Sequence, residues 1–317
     1  MEWKNETSIT KFILLGFVNL NEVQILFYTL YFILFLVIYL AAPMENLLII
    51  TAIALDHHLH TPMYFFLINL SVIDLGSISV NIPKSMANSL THSRSISYAG
   101  CVAQVSFFIF FLGANFFLLT VMAYDRYVAI CQPLHYERVM NRRACVQMAA
   151  SAWICGSLNS ALHTGNTFAL PFCGGNMVEQ FFCEIPKLLK LTCSDSYLSE
   201  VQVPFFSACL VLSCFVLITF SYVQIFKTVL RIPSEQGRQK AFSICLPHLI
   251  VFSLSVFSGI FAYLKPISSA TLGLDLMLAL LYSMLPPVMN PVIYSMRNKD
   301  IKAALRKLPG WMLFAKN

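Results

Sequence analysis

Seven long apolar stretches dominate the chain, with shorter polar segments between them. Their approximate bounds are residues 25–55, 62–83, 101–130, 144–163, 201–230, 241–264 and 272–295. A helix that crosses a hydrocarbon core of about 30 Å needs roughly 20 mainly apolar residues, and lipid forces each segment to satisfy its own backbone hydrogen bonds. The pattern therefore predicts an all-α membrane protein with a seven-transmembrane helix bundle.

A shorter amphipathic pattern follows the seventh stretch. Between Arg297 and Leu313, basic residues alternate with Ile301, Ala304, Leu305, Leu308 and Trp311. This alternation is typical of a helix that lies on a membrane surface, and Pro309 should end it. We therefore expect an N-terminal segment over 1–24, a seven-helix domain over 25–295, and a tail with a membrane-surface helix over 296–317.

The distribution of charge predicts how these parts are oriented. Of 317 residues, 58% are hydrophobic and 11% charged, which is too apolar for a single soluble core. If the N-terminus is outside, the inner segments hold 14 of the 21 lysine and arginine residues, as the positive-inside rule requires. The C-terminus is then cytosolic. The net charge of +6 faces membrane lipids at the inner leaflet and does not indicate nucleic-acid binding.

Two features on the predicted outer side agree with this orientation. Asn5 begins an Asn-Glu-Thr acceptor for N-linked sugar in the outer N-terminal segment. Four of the ten cysteines also lie on that side: Cys101, Cys173, Cys183 and Cys193. In an oxidising compartment, four thiols allow three disulfide pairings, and the residues alone do not choose among them.

Polar residues recur at similar depth within four of the apolar stretches. They are Asn46, Asp74, Asn115 and Asn290. Buried polar groups in lipid need one another as partners, so this set either holds helices together or forms a relay between the two membrane faces. Asp74 supplies the formal charge that a bound sodium ion would need. No metal site is otherwise predicted.

An Asp125-Arg126-Tyr127 triplet ends the third stretch. Arg126 stays charged at any relevant pH and offers five hydrogen-bond donors, so it can pair with the adjacent Asp125 in a resting state. The simpler alternative is a charge pair that anchors the helix at the membrane edge.

Several longer motifs resemble those of one family, the olfactory receptors of the rhodopsin-like class of G-protein-coupled receptors. They are LHTPMYFFL from Leu59, MAYDRYVAIC from Met122, Ser221-Tyr222, KAFS from Lys240 with Cys245 and His248-Leu249, and NPVIYSMRN from Asn290. Their order, spacing and membrane depth extend the resemblance over essentially the whole chain. Departures are Glu45 before Asn46, Ile244 and Pro247 in the sixth stretch, and Val256 at a position that is usually aromatic.

The resemblance implies a plasma-membrane odorant receptor, not an enzyme and without a cofactor. Its partners would be a small-molecule odorant and a heterotrimeric G protein with a stimulatory, olfactory-type α subunit that raises cyclic AMP. Activation would move the sixth helix outward and release Arg126 toward Tyr222 and Tyr294. The implied coupling and activation residues are Asp125, Arg126, Tyr127, Tyr222, Lys240, His248, Asn290, Pro291 and Tyr294.

The resemblance also implies a ligand pocket in the outer half of the bundle. Its residues would be Phe108, Ile109, Leu112, Gly113, Phe206, Ser207, Leu210, Gly259, Ile260, Tyr263, Leu280 and Ser283. No carboxylate stands at Phe108 and no lysine in the seventh helix, which disfavours amine and retinal ligands. An apolar cavity with a few hydroxyls suits a small, volatile, weakly polar molecule, bound at about −6 kcal/mol, or tens of micromolar.

For the outer cysteines, the resemblance implies pairs Cys101–Cys183 and Cys173–Cys193. Two other classes remain as alternatives. A non-olfactory chemoreceptor of the same class would share the motifs, whereas a transporter would show related halves or paired broken helices, and no internal repeat is evident.

Overall fold

The computed structural model describes residues 11–14, 22–91, 95–172, 176–178, 182–189, 191–192, 197–231, 235–264, 285–293 and 299–307. The helices in this part of the chain are α1 (Glu22–Leu55), α2 (Pro62–Thr91), α3 (Tyr98–Cys131), α4 (Tyr136–Val139), α5 (Arg142–Phe168), α6 (Ile185–Leu189), α7 (Tyr197–Leu230), α8 (Glu235–Leu264), α9 (285–293) and α10 (Lys299–Arg306). Short 3₁₀ turns at His57–Leu59 and Pro133–His135 join α1 to α2 and α3 to α4.

The predicted spans fall on seven of these helices, namely α1, α2, α3, α5, α7, α8 and α9. Most of the helices extend beyond the apolar stretch that predicted them, and at the beginning of α3 and of α5 a polar cap outside the stretch fixes the end. The Ser97 hydroxyl accepts from the Gly100 amide at 3.1 Å and begins α3, and the Asn141 side chain accepts from the Ala144 amide at 3.0 Å and begins α5. The described part of α9 is shorter than its predicted span.

Three described helical segments are individually long and apolar enough to cross a membrane: Pro62–Val80, Tyr98–Cys131 and Phe205–Leu230. Leu40–Leu55 and Phe252–Phe261 are shorter apolar helical segments.

Helix α3 lies at the centre of the described bundle, packed against α2, α5 and α7. Small residues allow its close approach to α5: a Cβ placed on Gly156 would lie 2.8 Å from the Phe110 carbonyl oxygen. A polar contact joins α5 to α2, where the Trp153 indole N–H donates to the Asn69 side-chain oxygen at 3.0 Å. Small interfacial residues with a few hydrogen bonds are the usual means of helix association in lipid.

A small sheet lies at the N-terminal end of α3, the end that contains Cys101, although the sequence pattern gave no sign of strands. Its strands are β1 (Lys11–Leu14), β2 (Ser95–Ser97) and β3 (Met177–Val178), in the order β2-β1-β3. Strand β1 pairs antiparallel with β2 and parallel with β3. Phe12 is fully buried, and its ring centroid lies 5.6 Å from that of Phe172 and 6.1 Å from that of Tyr98. Residues 11–14 are therefore packed into the same end of the molecule as Tyr98 and Phe172.

At the opposite end, α10 confirms the predicted amphipathic helix, over a shorter range. Ile301, Ala304 and Leu305 are buried, and α10 packs against α1. The Lys307 ammonium donates to the Asp56 carboxylate at 2.8 Å, and this hydrogen bond is the main reason that the pKa of Asp56 is lowered. Predicted residues 308–313 lie outside the described part of the chain.

Candidate ligand and signalling sites

The outer end of α3 is closed by the loop that follows α5. Cys101 and Cys183 form a disulfide with a Cα–Cα distance of 5.6 Å, which confirms this predicted pair. Phe108 and Ile109 are buried, and the Phe108 ring lies 6.0 Å from the ring of Phe182 in the loop. Two of the predicted ligand residues therefore lie beneath the loop that the disulfide holds.

The second predicted disulfide, Cys173–Cys193, involves residues outside the described part of the chain. The residues that precede them, Phe172 and Thr192, form an antiparallel bridge. The pair stays a prediction.

Ser207 lies in a chain of hydrogen bonds between α7 and α5. Its hydroxyl donates to the Asn159 side-chain oxygen at 2.8 Å and is 2.5 Å from His163 Nε2. Because the Ser207 hydrogen goes to Asn159, Nε2 must carry the hydrogen of the His163 ring and donate to the serine. The sequence analysis did not identify Asn159 and His163. Both are polar residues within the apolar stretch 144–163, and this was the signal that could have identified them.

The other predicted pocket residues have varied surroundings. Leu112 is partly buried, whereas a Cβ on Gly113 would lie 3.3 Å from the Gly156 Cα, which places Gly113 in the contact between α3 and α5. Phe206 and Ile260 are 52% and 45% exposed. Among the described residues, no atom lies within 4 Å of a Cβ built on Gly259.

Leu210 lines a lateral groove between α3, α4, α5 and α7. Three predicted pocket residues are outside the described part of the chain: Leu280, Ser283 and, for its side chain, Tyr263. The part of the pocket wall that they would form stays a prediction.

The predicted polar set is partly brought together. The Asn290 amide nitrogen donates to both carboxylate oxygens of Asp74, at 3.2 and 3.1 Å. The Asn46 amide donates to the Pro287 carbonyl oxygen at 3.3 Å. These contacts join α2 and α1 to α9. The Asn115 side-chain oxygen is buried without a hydrogen-bond partner among the described residues.

The sodium prediction at Asp74 is not tested by these contacts. No cluster of three or more His, Cys, Asp or Glu side chains able to hold a metal occurs in the described part of the chain.

At the other end of α3, the Asp125 carboxylate is bound to a residue from the following segment. Tyr136 on α4 donates its hydroxyl hydrogen to Asp125 at 2.9 Å, and Asp125 is buried. Burial and the nearby carboxylate raise the pKa of Tyr136, so its hydroxyl stays protonated and able to donate. Among the described contacts, no ion pair within 4.0 Å joins Asp125 to Arg126, which is partly buried. The predicted resting pair of these two residues stays a prediction.

Several of the remaining predicted signalling residues are in the described part of the chain. The Tyr127 hydroxyl accepts from Gln132 at 3.3 Å, and Tyr222 is buried on α7 with its ring 6.4 Å from that of Phe226. Pro291 is buried in α9. Lys240 and His248 lie on α8, with side chains outside the described part, as is all of Tyr294. The glycosylation acceptor Asn5 is also outside it.

An aromatic cluster links α8 to its neighbours at the middle of the bundle. The Phe252 ring lies 5.4 Å from Phe116 on α3 and 6.2 Å from Phe215 on α7. Val256, the departure from the usual aromatic, is buried one turn further along α8. Phe252 therefore supplies a ring contact between α8 and α3, which the sequence motifs did not indicate.

An apolar helix bundle, a disulfide from α3 to the outer loop, an Asp-Arg-Tyr end to α3 and a polar contact from α2 to α9 are features of rhodopsin-like G-protein-coupled receptors. Comparison with known proteins shows to which family of these receptors the chain belongs. The family model described as "Olfactory receptor" matches residues 35–310. The chain is 51% identical to olfactory receptor 14A16 of Homo sapiens over 304 residues, covering 96% of this chain and 97% of that protein.

Other human olfactory receptors are similar to the chain over nearly its full length. Olfactory receptor 14I1 is 52% identical over 312 residues, covering 98% of this chain and 97% of that protein, and olfactory receptor 5B12 is 47% identical over 307 residues, covering 97% and 96%. The chain belongs to the olfactory receptor family. It is accordingly a multi-pass plasma-membrane protein with a seven-transmembrane bundle that binds odorants and couples to G proteins.

Proposed function

We propose that the odorant is a small, volatile, weakly polar molecule bound in the outer half of the bundle, and that the receptor activates a stimulatory, olfactory-type G protein to raise cyclic AMP. The ligand proposal is supported by buried apolar side chains on α3 and by a hydrogen-bonded hydroxyl on α7, the helix that packs against α3. Phe108 and Ile109 present buried hydrocarbon under the outer loop, and Ser207 on the neighbouring α7 is held by Asn159 and His163. The other members of the predicted pocket set, including Tyr263, Leu280 and Ser283, remain part of this proposal.

The hydrogen bonds of Ser207 favour one kind of polar odorant. A serine hydroxyl has one hydrogen to donate and two sites that accept. Its hydrogen is used by Asn159 and one accepting site by His163, so one accepting site remains. An alcohol can donate to that site, whereas a ketone or ester of the same size cannot. We therefore expect alcohols to be better agonists than matched carbonyl compounds.

Signal transfer is proposed to run from this pocket to the Asp125 end of α3. The contacts of Asp74 with Asn290 and of Asn46 with Pro287 join three helices in the interior, and Phe252 joins α8 to α3 and α7. Outward movement of α8 would then expose Arg126 and Tyr127, with Tyr222, Lys240, His248, Pro291 and Tyr294 at the cleft that receives the G protein. A ligand needs only a modest difference in affinity between the two states to shift their populations.

The proposed orientation places residues 1–24 outside, the helix domain over 25–295, and residues 296–317 in the cytosol. The basic residues of the predicted inner segments and the glycosylation acceptor Asn5 support this orientation. The disulfide at Cys101 supports it too, because it lies at the end of α3 that is remote from those basic segments. Epitope tags at the two termini of intact cells test it: we expect antibody access to the N-terminal tag alone. Access to both tags or to neither would contradict the orientation.

A panel of volatile alcohols and matched ketones, applied to cells that carry the receptor and a cyclic AMP reporter, tests the function. We expect one or more alcohols to raise cyclic AMP when the olfactory-type or stimulatory α subunit is co-expressed. An odorant response that lowers cyclic AMP would contradict the coupling. A consistent preference for the ketones would contradict the role given to Ser207.

A further inference from the structure

A lateral groove of about 500 Å³ lies between α3, α4, α5 and α7, and Leu210 is the one residue that its lining shares with the proposed odorant pocket. Its walls include Val121, Val139, Cys155 and Leu217, one from each helix. The part of α3 that lines it, between Phe117 and Tyr124, is at the Asp125 end of the helix. The groove therefore lies in the half of the bundle that faces the cytosol in the proposed orientation.

The length of the groove matches one leaflet of a bilayer. On α5 it extends from Ala144 to Cys155. At a rise of 1.5 Å per residue this is about 16 Å, roughly half of a hydrocarbon core of about 30 Å. Its side opening faces the bilayer, because α3, α5 and α7, which form most of its walls, cross the membrane.

The walls offer hydrocarbon in spite of several hydroxyl groups. Thr120, Ser151 and Ser213 line the groove, and each donates its hydroxyl hydrogen to the backbone carbonyl four residues earlier in its own helix, at 2.8–2.9 Å. Their hydrogens are thus not available to an occupant. An alkyl chain suits such a wall better than a polar ligand.

Positive charge surrounds the cytosolic mouth. Val139 and Ala144 line the groove there, and Arg138, Arg142 and Arg143 in the same short segment are all exposed. The guanidinium group matches the geometry of a phosphate, and the cytosolic leaflet is the one that carries anionic lipids. This charge favours an anionic phospholipid over a sterol or a neutral lipid.

We propose that the groove binds one acyl chain of an anionic phospholipid of the cytosolic leaflet, with Arg142 and Arg143 holding the headgroup phosphate. The bound chain packs between Tyr124, next to Asp125, and Val139, on the same short helix as Tyr136. It therefore supports the two elements that the Tyr136–Asp125 hydrogen bond joins. The proposal relies on the proposed orientation but not on the identity of the odorant.

Photo-crosslinking of the full-length receptor in lipid nanodiscs tests the proposal. The probes are phosphatidylserine and phosphatidylcholine that carry the same acyl chain with a diazirine at its middle. Peptide mass spectrometry should place the adducts on residues 147–155 of α5 and 210–217 of α7. Because basic residues near the surface attract the anionic headgroup, we expect roughly fivefold or more labelling by phosphatidylserine than by phosphatidylcholine.

Two variants separate the headgroup from the acyl chain. Arg142→Gln with Arg143→Gln should reduce phosphatidylserine labelling to the phosphatidylcholine level, and Ser151→Trp, which fills the groove, should remove labelling by both lipids. Matched controls are Arg306→Gln on α10 and Leu158→Trp, whose side chain is 65% exposed on α5 and is not part of the groove lining. Neither control should change the adducts.

The proposal would be overturned if the two lipids label the receptor equally and the double arginine variant does not change that labelling. So would adducts spread evenly over the exposed faces of the bundle, or competition by cholesterol or by an odorant but not by unlabelled phosphatidylserine. If Ser151→Trp does not fold, phosphatidylserine labelling of the double arginine variant alone tests the proposal.

Discussion

Tyr136 is the hydrogen-bond donor to the buried carboxylate of Asp125. Replacing it with phenylalanine keeps the ring and removes the donor, which leaves Asp125 without this partner. Hydrogen bonds to charged groups contribute about 1.5–3 kcal/mol. We expect Tyr136→Phe to lower the melting temperature of the solubilised receptor by several degrees.

Tyr124→Phe is the matched control, because Tyr124 is 42% exposed on the same end of α3. Its melting temperature should stay near that of the wild type. Equal melting temperatures for the two variants would show that the Tyr136 hydroxyl does not stabilise the receptor.

Ser207 tests the chemistry of the proposed pocket. Ser207→Ala removes the site that would accept a hydrogen from an alcohol, at about 0.5–1.5 kcal/mol, or up to about tenfold in affinity. We expect the half-maximal concentration of an alcohol agonist to rise by severalfold to about tenfold, and that of a carbonyl analogue to change less than about twofold.

Ser213→Ala is the control for Ser207→Ala, since Ser213 is an exposed serine on α7 that donates to its own helix. It should leave both concentrations unchanged. A parallel loss of potency for the alcohol and the carbonyl compound in Ser207→Ala would count against a hydrogen bond to the ligand.

Single residues show where sequence reasoning reached its limit. It identified Arg126 as a residue that can pair with its chain neighbour Asp125 in a resting state, with a charge pair that anchors the helix as the alternative. The structure gives Asp125 a partner on α4, a residue separated from it by a turn of the chain. Such a partner depends on how the chain folds back, which the local pattern does not contain. The same holds for Asn159 and His163 beside Ser207.

Strand β1 is the element that the hydrophobic pattern did not predict. A four-residue strand has too few positions for a clear alternation, and its pairing with β2 and β3 depends on segments about 80 to 165 residues distant in sequence. By contrast, the long helices were predictable, because lipid leaves a 20-residue apolar segment few alternatives to a helix. The first ends of α3 and α5 differ from the prediction because Ser97 and Asn141 cap these two helices beyond the apolar run.

Phe12 should hold β1 in the outer sheet. Its ring is fully buried between Tyr98 and Phe172, and loss of a buried phenylalanine ring typically costs 3–5 kcal/mol. We expect Phe12→Ala to detach the strand. Hydrogen exchange should then become at least tenfold faster at the backbone amides of residues 95–97 and 177–178.

Lys11→Ala provides the comparison for Phe12→Ala, since Lys11 is exposed on the same strand. Exchange in that variant should match the wild type. Unchanged exchange in Phe12→Ala would mean that the ring does not hold the strand in place.

The whole molecule has two ends with different chemistry, joined by polar and aromatic contacts through its interior. One end carries the sheet, the Cys101–Cys183 disulfide and the hydrogen-bonded Ser207, and the other end carries Asp125 and Arg126. The bundle and its family were predictable from apolar spacing and motifs. The paths that connect the two ends were not, because contacts such as that of Phe252 with Phe116 join helices that are distant in sequence.

We propose that odorant binding at one end of the receptor exposes Arg126 to the G protein at the other end. The most direct measurement is odorant-stimulated cyclic AMP in cells that express the wild type or Arg126→Ala, with surface expression measured in parallel. We predict that an agonist of the wild type loses most of its effect in Arg126→Ala while the variant still reaches the cell surface. An unchanged response in that variant would contradict the account.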